Sequence, residues 1–254
     1  MPTSSITKQF VVKNEKAFDK MLRDCEYAPP PTYSSHDPLA RGRELLQQFE
    51  PGKERKNDVN IDFLIVAGTH YVGKSSFLGA IKNFVGYTGD VLDESKVLKE
   101  CGTNRQFAES ILRESIQGNV QWQLPMTMET TLSFPWLAEE LEKAKEKGYR
   151  IKLHYIAVGS KSEISNRIRN LLHRHTTLVP YETFCDIFDR RWASLARILP
   201  LCQEAYLYDN EKDFREVARL EGGNVVITVD NPPEWILEFL EYCKQSDDIR
   251  YWND

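Results

Sequence analysis

A phosphate-binding pattern is the clearest chemical signal in the sequence. The pattern G-x-x-x-x-G-K-[ST] is matched by the segment Gly68-Thr69-His70-Tyr71-Val72-Gly73-Lys74-Ser75, which Ser76 follows. In such a loop, glycines let backbone N–H groups turn toward phosphate oxygens, the lysine supplies positive charge, and the serine hydroxyl can ligate Mg²⁺. The sequence therefore predicts that residues 68–76 bind the phosphates of a nucleoside triphosphate, with Lys74 at the phosphates and Ser75 at the metal.

The elements on either side of this loop support the prediction. The apolar run from Phe63 to Ala67 precedes the loop, and a helical pattern from Ser75 to Phe84 follows it. A helix that begins at the loop directs the positive end of its dipole at the bound anion. We do not interpret His70 as a catalytic base, because the pattern leaves its position free and its side chain is expected to point outward.

From Asp62 onward, short apolar runs alternate with longer helical patterns, which is typical of βαβ units. The predicted strands are Phe63 to Ala67, Met126 to Thr130, Ile151 to Val158, Ala205 to Tyr208 and Val225 to Val229. The predicted helices are Ser75 to Phe84, Arg105 to Gln117, Pro135 to Lys147, Glu163 to Arg174, Tyr181 to Leu199, Asp213 to Leu220 and Glu234 to Lys244. The fold class is therefore α/β: a P-loop NTPase-type, mainly parallel sheet flanked by helices on both faces.

The first part of the chain has a different character. Three consecutive prolines at 29–31 end a short helical pattern, and Asp37-Pro38 is typical of a helix start. A polar stretch follows, and the apolar residues are too few for a separate core. We expect a helical appendage and linker over residues 1–58 that packs on a P-loop domain over residues 59–254.

Composition limits the classes of partner. The chain has 33 Lys plus Arg against 38 Asp plus Glu, a net charge of −5, which counts against nucleic acid or an anionic membrane as a partner. Its five cysteines form no CxxC pair, and no apolar run is long enough to span a membrane. These features, and a start without an apolar signal region, favour a cytoplasmic protein with reduced thiols.

Several further segments follow the loop in an order that resembles zeta toxins and the related P-loop kinases of toxin–antitoxin systems. The resemblance extends from about Asp62 to Trp235, which is most of the chain. Beside the loop, the matching segments are Leu92-Asp93-Glu94-Ser95, Met128-Glu129-Thr130-Thr131-Leu132-Ser133, Ala144-Lys145, Gly148-Tyr149, Leu153 to Val158, Arg167, Val179-Pro180, Ser194-Leu195 and Tyr208-Asp209-Asn210. The resemblance implies a kinase that transfers the γ-phosphoryl group of ATP, with Mg²⁺, to a hydroxyl of UDP-N-acetylglucosamine or another small acceptor.

The resemblance also implies roles for single residues. Lys74 and Ser75 would hold the triphosphate and its metal, and Asp93 would take the proton from the acceptor hydroxyl, although Asp90 is close enough in sequence to compete. Glu129 would contact the substrate, together with Thr130 and Thr131, at the end of a strand where α/β proteins bind ligands. Without the resemblance, an acid placed as Asp93 is more often a solvated or capping residue, and Glu129 could be an acid at the start of a helix before Pro135.

The predicted helix from Glu163 to Arg174 carries arginines that suit a triphosphate. Arg167 and Arg174 lie within roughly 20° of each other on a helix with 3.6 residues per turn, so their guanidinium groups can stack above the phosphates. Positive charge at this place stabilises the transferring phosphoryl group. The alternative is a solvated basic face. Asn210 could approach the nucleotide base, or serve ordinary turn chemistry after a strand.

The segment after this helix departs from the family. In Leu171 to Pro180, the Gly-Gly-His that the family places before Val-Pro is altered at both glycines and at the histidine position. The resemblance implies a further arginine that clamps the phosphates. Its position corresponds to Ile187 if residues are counted forward from Pro180, and to Arg190 if they are counted back from Ser194-Leu195. Either Arg190 takes this role through a small insertion, or the second arginine is missing and transition-state stabilisation is weakened.

These observations predict an ATP- and Mg²⁺-dependent kinase that phosphorylates a sugar nucleotide, with the catalytic groups Lys74, Asp93, Arg167, Arg174 and Arg190. One alternative is a nucleoside, nucleotide or polynucleotide-end kinase on the same scaffold. Another is a nucleotide-binding interaction module with little turnover. The resemblance also implies an antitoxin protein as a possible partner.

Overall fold

The computed structural model describes residues 61–84, 91–102, 104–172, 179–211 and 213–245. The predicted appendage over residues 1–58, Asp90 and Arg174 lie outside the described residues.

A seven-stranded sheet forms the centre of the described chain. Its strands are β1 (Ile61–Ala67), β2 (Val91–Asp93), β3 (Met126–Thr130), β4 (Tyr149–Ala157), β5 (Glu204–Asp209), β6 (Arg215–Glu221) and β7 (Asn224–Ile227). Their order in the sheet is β2-β3-β1-β4-β5-β6-β7. The first five strands in this order are parallel, whereas β6 and β7 pair antiparallel at one edge. This arrangement confirms the predicted mainly parallel sheet.

Helices cover both faces of the sheet. They are α1 (Lys74–Phe84), α2 (Glu94–Glu100), α3 (Arg105–Trp122), α4 (Leu137–Glu146), α5 (Lys161–Leu172), α6 (Tyr181–Asp189), α7 (Arg191–Ile198) and α8 (Glu234–Gln245), with a short 3₁₀ turn at Leu199–Leu201. None of these helices combines the length and the apolar character that a membrane crossing needs, over the residues that the structure describes.

Strand β1 shows why two cores form. Successive side chains of a strand point to opposite faces, so Phe63, Ile65 and Ala67 enter one core while Val66 enters the other. The first core also receives the apolar faces of α3, α4, α7 and α8, and the second receives those of α1, α5 and α6. Burial on both sides fixes the register of β1, and the register fixes where the loop after it begins.

Two sequence predictions are wrong. The predicted helix Asp213 to Leu220 is strand β6, which pairs with β5 and β7. Gly222 and Gly223, with φ of 58° and 87°, make the tight turn to β7, and this hairpin overrides the local preference for helix. The predicted single helix Tyr181 to Leu199 is two helices, α6 and α7, that meet at Arg190.

The remaining predicted strands and helices are present, with bounds that differ by a few residues. Strand β2 and helix α2 were not predicted, because three and seven residues are too short for a periodic pattern to show.

Candidate active site

The predicted phosphate loop joins β1 to α1. Gly68 and Gly73 have φ of 145° and 102°, in a region that residues with a Cβ rarely adopt. A Cβ on Gly68 would collide with the carbonyl oxygen of Ile156, and one on Gly73 would lie 2.5 Å from the side-chain nitrogen of Asn210. Both glycines of the pattern are therefore required by close contacts as well as by backbone conformation.

Lys74 is buried inside the loop. Its Nζ donates hydrogen bonds to the carbonyl oxygens of Gly68 at 3.0 Å and Thr69 at 2.9 Å. Burial lowers the pKa of Lys74, and the carboxylates of Glu129, Glu94 and Asp93 act in the opposite direction. The ammonium group is thus held at the centre of the loop, where an anionic ligand would favour its charged form.

Ser75 is bound directly to Glu129 of the neighbouring strand. The Ser75 hydroxyl donates to Glu129 Oε1 at 2.7 Å, across 54 residues of sequence. The contact follows from the sheet register, in which Val66 of β1 lies beside Glu129 of β3. Burial raises the pKa of Glu129, and the Ser75 hydrogen bond and the Lys74 charge act to lower it. A hydroxyl and a carboxylate are oxygen ligands of the kind that Mg²⁺ prefers, so this pair fits a metal site.

Asp93 lies beside Glu129. The two residues are register partners in β2 and β3, and Asp93 also caps helix α2 by accepting a hydrogen bond from the Lys96 backbone N–H at 3.0 Å. Its Oδ2 has no partner among the described residues. The structure therefore brings Asp93, Glu129, Ser75 and Lys74 to one end of adjacent parallel strands.

Glu94 is a buried carboxylate that the sequence analysis did not select. It accepts hydrogen bonds from the Thr130 hydroxyl at 2.6 Å, the Thr131 backbone N–H at 2.6 Å and the Thr131 hydroxyl at 2.7 Å. Its side chain thus ties helix α2 to the chain after β3. Thr130 and Thr131 were predicted to contact substrate; their hydroxyls are bound to Glu94, and Thr131 Oγ1 also lies 2.9 Å from Ser133 Oγ. Glu94 stands in the matching segment Leu92-Asp93-Glu94-Ser95, but nothing in the sequence assigned it a role beside that of Asp93.

Two residues hold the loop from the opposite side. Arg167 of α5 donates to the carbonyl oxygen of Val72 at 3.4 Å and, in a short hydrogen bond, to that of Asn210. The Asn210 side chain donates to the same Val72 oxygen at 2.7 Å. Arg167 and Asn210 therefore contact the backbone of the loop and fix its position relative to β5.

Arg190 has a different environment from Arg167. It lies at the junction of α6 and α7, its side chain is 74% exposed, and its guanidinium group pairs with Asp186 at 2.9 Å. The described residues thus place Arg167 at the loop, whereas Arg190 makes its contact at the surface.

The middle of the loop is buried, contrary to the expectation that His70 points outward. His70 is 5% exposed, and Thr69 and Val72 are also buried. Burial, then the charges of Lys74 and Arg105, lower the pKa of His70 to about 3, so the imidazole is neutral near pH 7. Tyr71, with φ of 67°, accepts a hydrogen bond from the Val179 backbone N–H at 2.7 Å and connects the loop to the chain before α6.

The fold and this site together define a P-loop α/β protein. No protein-family model matches the sequence, and no curated protein matches it. Among solved structures, a chain of the PezAT chromosomal toxin-antitoxin system of Streptococcus pneumoniae is similar over 80% of this chain and 90% of that one, with a TM-score of 0.51 and 15% identity. The likeness confirms, at the level of the fold, the resemblance found in the sequence.

Two further structures are more distant. AvrRxo1-ORF1:-ORF2 with ATP matches over 90% of this chain and 75% of that one, with a TM-score of 0.47 and 15% identity. Shikimate kinase from Bacteroides thetaiotaomicron matches over 60% and 89%, with a TM-score of 0.36 and 12% identity. The conclusion about the fold rests on the toxin–antitoxin structure.

Proposed function

We propose that the protein is an ATP-dependent kinase of the zeta-toxin type. It transfers the γ-phosphoryl group of ATP to a hydroxyl of a sugar nucleotide such as UDP-N-acetylglucosamine. The observation that carries this proposal is the 2.7 Å hydrogen bond between the Ser75 hydroxyl of the phosphate loop and the Glu129 carboxylate. It brings together a hydroxyl and a carboxylate, oxygen groups of the kind that Mg²⁺ binds, at the end of the loop that buries Lys74, and this supports a nucleotide-bound metal there.

The nucleotide half of the proposed site consists of the loop and its supports. The backbone N–H groups of residues 68–75 and the Lys74 ammonium bind the phosphates, and Ser75 with Glu129 holds Mg²⁺. The metal, when bound, neutralises charge on the phosphate oxygens. Arg167 and Asn210 keep the loop in place through the Val72 carbonyl, and the Arg167 charge adds to the positive field at this end of the sheet.

The acceptor half lies around Asp93. In the proposed reaction, the acceptor hydroxyl oxygen bonds to the γ-phosphorus, the bond to the β–γ bridging oxygen breaks, and ADP leaves. The hydroxyl proton passes to Asp93, whose Oδ2 has no partner among the described residues. Glu129 lies on the strand next to Asp93, and its second oxygen, Oε2, has no hydrogen-bond partner among the described residues, so it can orient an acceptor hydroxyl.

The proposal includes a cellular setting. The similar PezAT chain comes from a toxin–antitoxin system, so we propose an antitoxin protein that covers the nucleotide site as a partner. We also propose the cytoplasm as the site of action. Cys101, Cys185, Cys202 and Cys243 are free thiols among the described residues, which suits a reducing compartment.

The test is a phosphoryl-transfer assay with γ-labelled ATP and Mg²⁺. The acceptors are UDP-N-acetylglucosamine, other sugar nucleotides, nucleosides and a 5′-hydroxyl oligonucleotide. We expect label on a sugar nucleotide, and its loss by a factor of about 10² or more in Lys74→Ala and Asp93→Asn. Label on nucleosides or on the oligonucleotide alone would instead assign the protein to a different class of kinase.

A second candidate function is a nucleotide-binding module with little turnover. Two observations favour it: Arg190 pairs with Asp186 at the surface, and Arg167 bonds to the backbone carbonyls of Val72 and Asn210. In that case ATP raises the melting temperature, no acceptor is labelled, and Asp93→Asn changes neither result. A labelled acceptor whose labelling requires Asp93 would exclude this candidate.

A further inference from the structure

A cationic side chain beside the acceptor half of the site has no role in the mechanism above. Arg105 is the first residue of α3, and Asn104 caps that helix. Helix α3 connects β2 to the parallel strand β3, so it runs antiparallel to these strands and begins near their carboxyl ends. Arg105 therefore lies at the same end of the strands as Asp93 and Glu129.

The contacts of Arg105 leave most of its guanidinium group free. Its Nε donates to Glu109 Oε1 at 2.9 Å, and its Cζ lies 5.5 Å from the centroid of the Phe134 ring. Among the described residues, no group accepts a hydrogen bond from its two terminal amino groups. The side chain is 47% exposed, so a ligand can reach these donors.

Phe134 places this guanidinium group close to the proposed acceptor. The ring is fully buried and follows Thr131 by three residues, in the segment that leaves β3 beside the catalytic acids. The charge of Arg105 also reaches the phosphate loop, where it helps to lower the pKa of His70. The guanidinium group therefore lies against the segment after β3, within electrostatic reach of the phosphate loop.

The charges around the site suggest what Arg105 can bind. Lys74 and Arg167 already serve the nucleotide half. In the acceptor half, by contrast, Asp93, Glu94 and Glu129 are all acidic, so an acceptor that carries its own negative charge would be repelled without a cation. A planar guanidinium with free terminal amino groups can bind a phosphate through two parallel hydrogen bonds.

We propose that Arg105 binds a phosphate group of the phosphoryl acceptor and so selects acceptors that already carry a phosphate. This inference rests on the proposed kinase function, because it assigns the acceptor half of that site. Arg105 acts here as a specificity-determining residue, and the transferred phosphoryl group remains the task of Lys74 and the metal.

The test compares Arg105→Gln with the matched control Arg219→Gln. Arg219 is also 47% exposed and also donates from Nε to a carboxylate, that of Glu221, with a second carboxylate, that of Glu216, 3.9 Å from a terminal amino group; it lies on β6. Calorimetry with β,γ-methylene-ATP and Mg²⁺ present measures the binding of two pairs of compounds. These are UDP-N-acetylglucosamine against N-acetylglucosamine, and uridine monophosphate against uridine.

We expect the wild-type protein to bind the phosphate-bearing member of at least one pair more tightly. Arg105→Gln should weaken that binding roughly ten- to a hundredfold, the usual effect of losing a charged hydrogen-bonded pair. Binding of the uncharged member and of the ATP analogue should stay unchanged, and Arg219→Gln should behave as the wild type.

Three results would overturn the inference. They are equal binding of charged and uncharged members by the wild type, equal weakening of both members in Arg105→Gln, and weakened binding of the ATP analogue in that variant. Failure of the proposed kinase function gives a different result, since it removes phosphoryl transfer while the Arg105-dependent binding difference persists.

Discussion

Single residues of the site are defined by the groups that they contact. Lys74 follows from the pattern, but its buried position and its bonds to the loop carbonyls come from the folded loop. Glu129 was predicted as a substrate contact, and the structure adds its hydrogen bond to Ser75. A carboxylate has two oxygens, so Glu129 can use one oxygen on the side of Ser75 and the proposed metal and the other on the side of the proposed acceptor.

The Ser75–Glu129 pair predicts a metal-dependent effect of a single substitution. Glu129→Gln keeps an oxygen that can accept the Ser75 hydrogen bond, but it removes the negative charge. We expect the Mg²⁺ concentration needed for tight binding of a fluorescent ATP analogue to rise about tenfold or more. The measurement is a Mg²⁺ titration at fixed analogue concentration.

Glu114→Gln on the exposed face of α3 is the control for this substitution. It removes the same charge away from the loop and should leave the titration unchanged. An unaltered Mg²⁺ requirement in Glu129→Gln would show that Glu129 does not contribute to metal binding, and only its proposed contact with the acceptor would remain.

At the level of elements, the site depends on how α2 and the segment after β3 are joined. Asp93 ends β2 and caps α2, and the next residue, Glu94, turns inward to bind Thr130 and Thr131. These contacts hold the proposed base and the wall of the acceptor site in one arrangement. Phosphoryl transfer needs such fixed positions, because little of its catalysis comes from covalent chemistry by the protein.

Removal of the Glu94 side chain should therefore destabilise the fold. Glu94→Ala deletes three hydrogen bonds and leaves the Thr131 backbone N–H buried without a partner. We expect a loss of about 2–4 kcal/mol in the free energy of unfolding, measured by urea denaturation. Glu100→Ala, at an exposed position of the same helix, should change this free energy by less than about 0.5 kcal/mol. Similar values for the two variants would show that the Glu94 network contributes little.

At the scale of the whole molecule, two histidines of the described residues, the buried His70 and the partly buried His154, have lowered pKa values and are neutral in the folded state near pH 7. Burial is the main cause that lowers the pKa of His70 to about 3 and that of His154 to about 4. In the unfolded chain both groups titrate near 6.5. Between these values the unfolded state binds more protons than the folded state, so stability falls as the pH falls.

This difference predicts how stability depends on pH. Each histidine contributes a slope of up to about 1.4 kcal/mol per pH unit, from about pH 6.5 down to its folded pKa. His70→Gln and His154→Gln should each flatten the curve of unfolding free energy against pH in this window, and leave its slope above pH 7.5 unchanged. Urea denaturation at a series of pH values measures the curve, and the wild-type slope in both variants would contradict the assigned cause.

The sequence by itself determined the phosphate loop, the α/β class and most of the strands and helices. These features depend on the spacing of residues, on hydrophobic periodicity and on the backbone conformations that only glycine adopts easily. All three can be recognised in a short stretch of sequence. It also located Asp93 and Glu129, through an ordered set of segments that resembles a family. The catalytic and binding roles of Asp93 and Glu129 stay predictions, which the transfer assay and the Mg²⁺ titration test.

Only the tertiary structure decided which of these residues meet. The hydrogen bond from Ser75 to Glu129 spans 54 residues. The contact between Arg105 and Phe134 joins the start of α3 to the segment after β3, and nothing in either local sequence predicts it. Strand β6 has a sequence that favours helix, and only its pairing with β5 and β7 makes it a strand. Such contacts depend on sheet register and helix packing across the whole domain, which no local window of sequence contains.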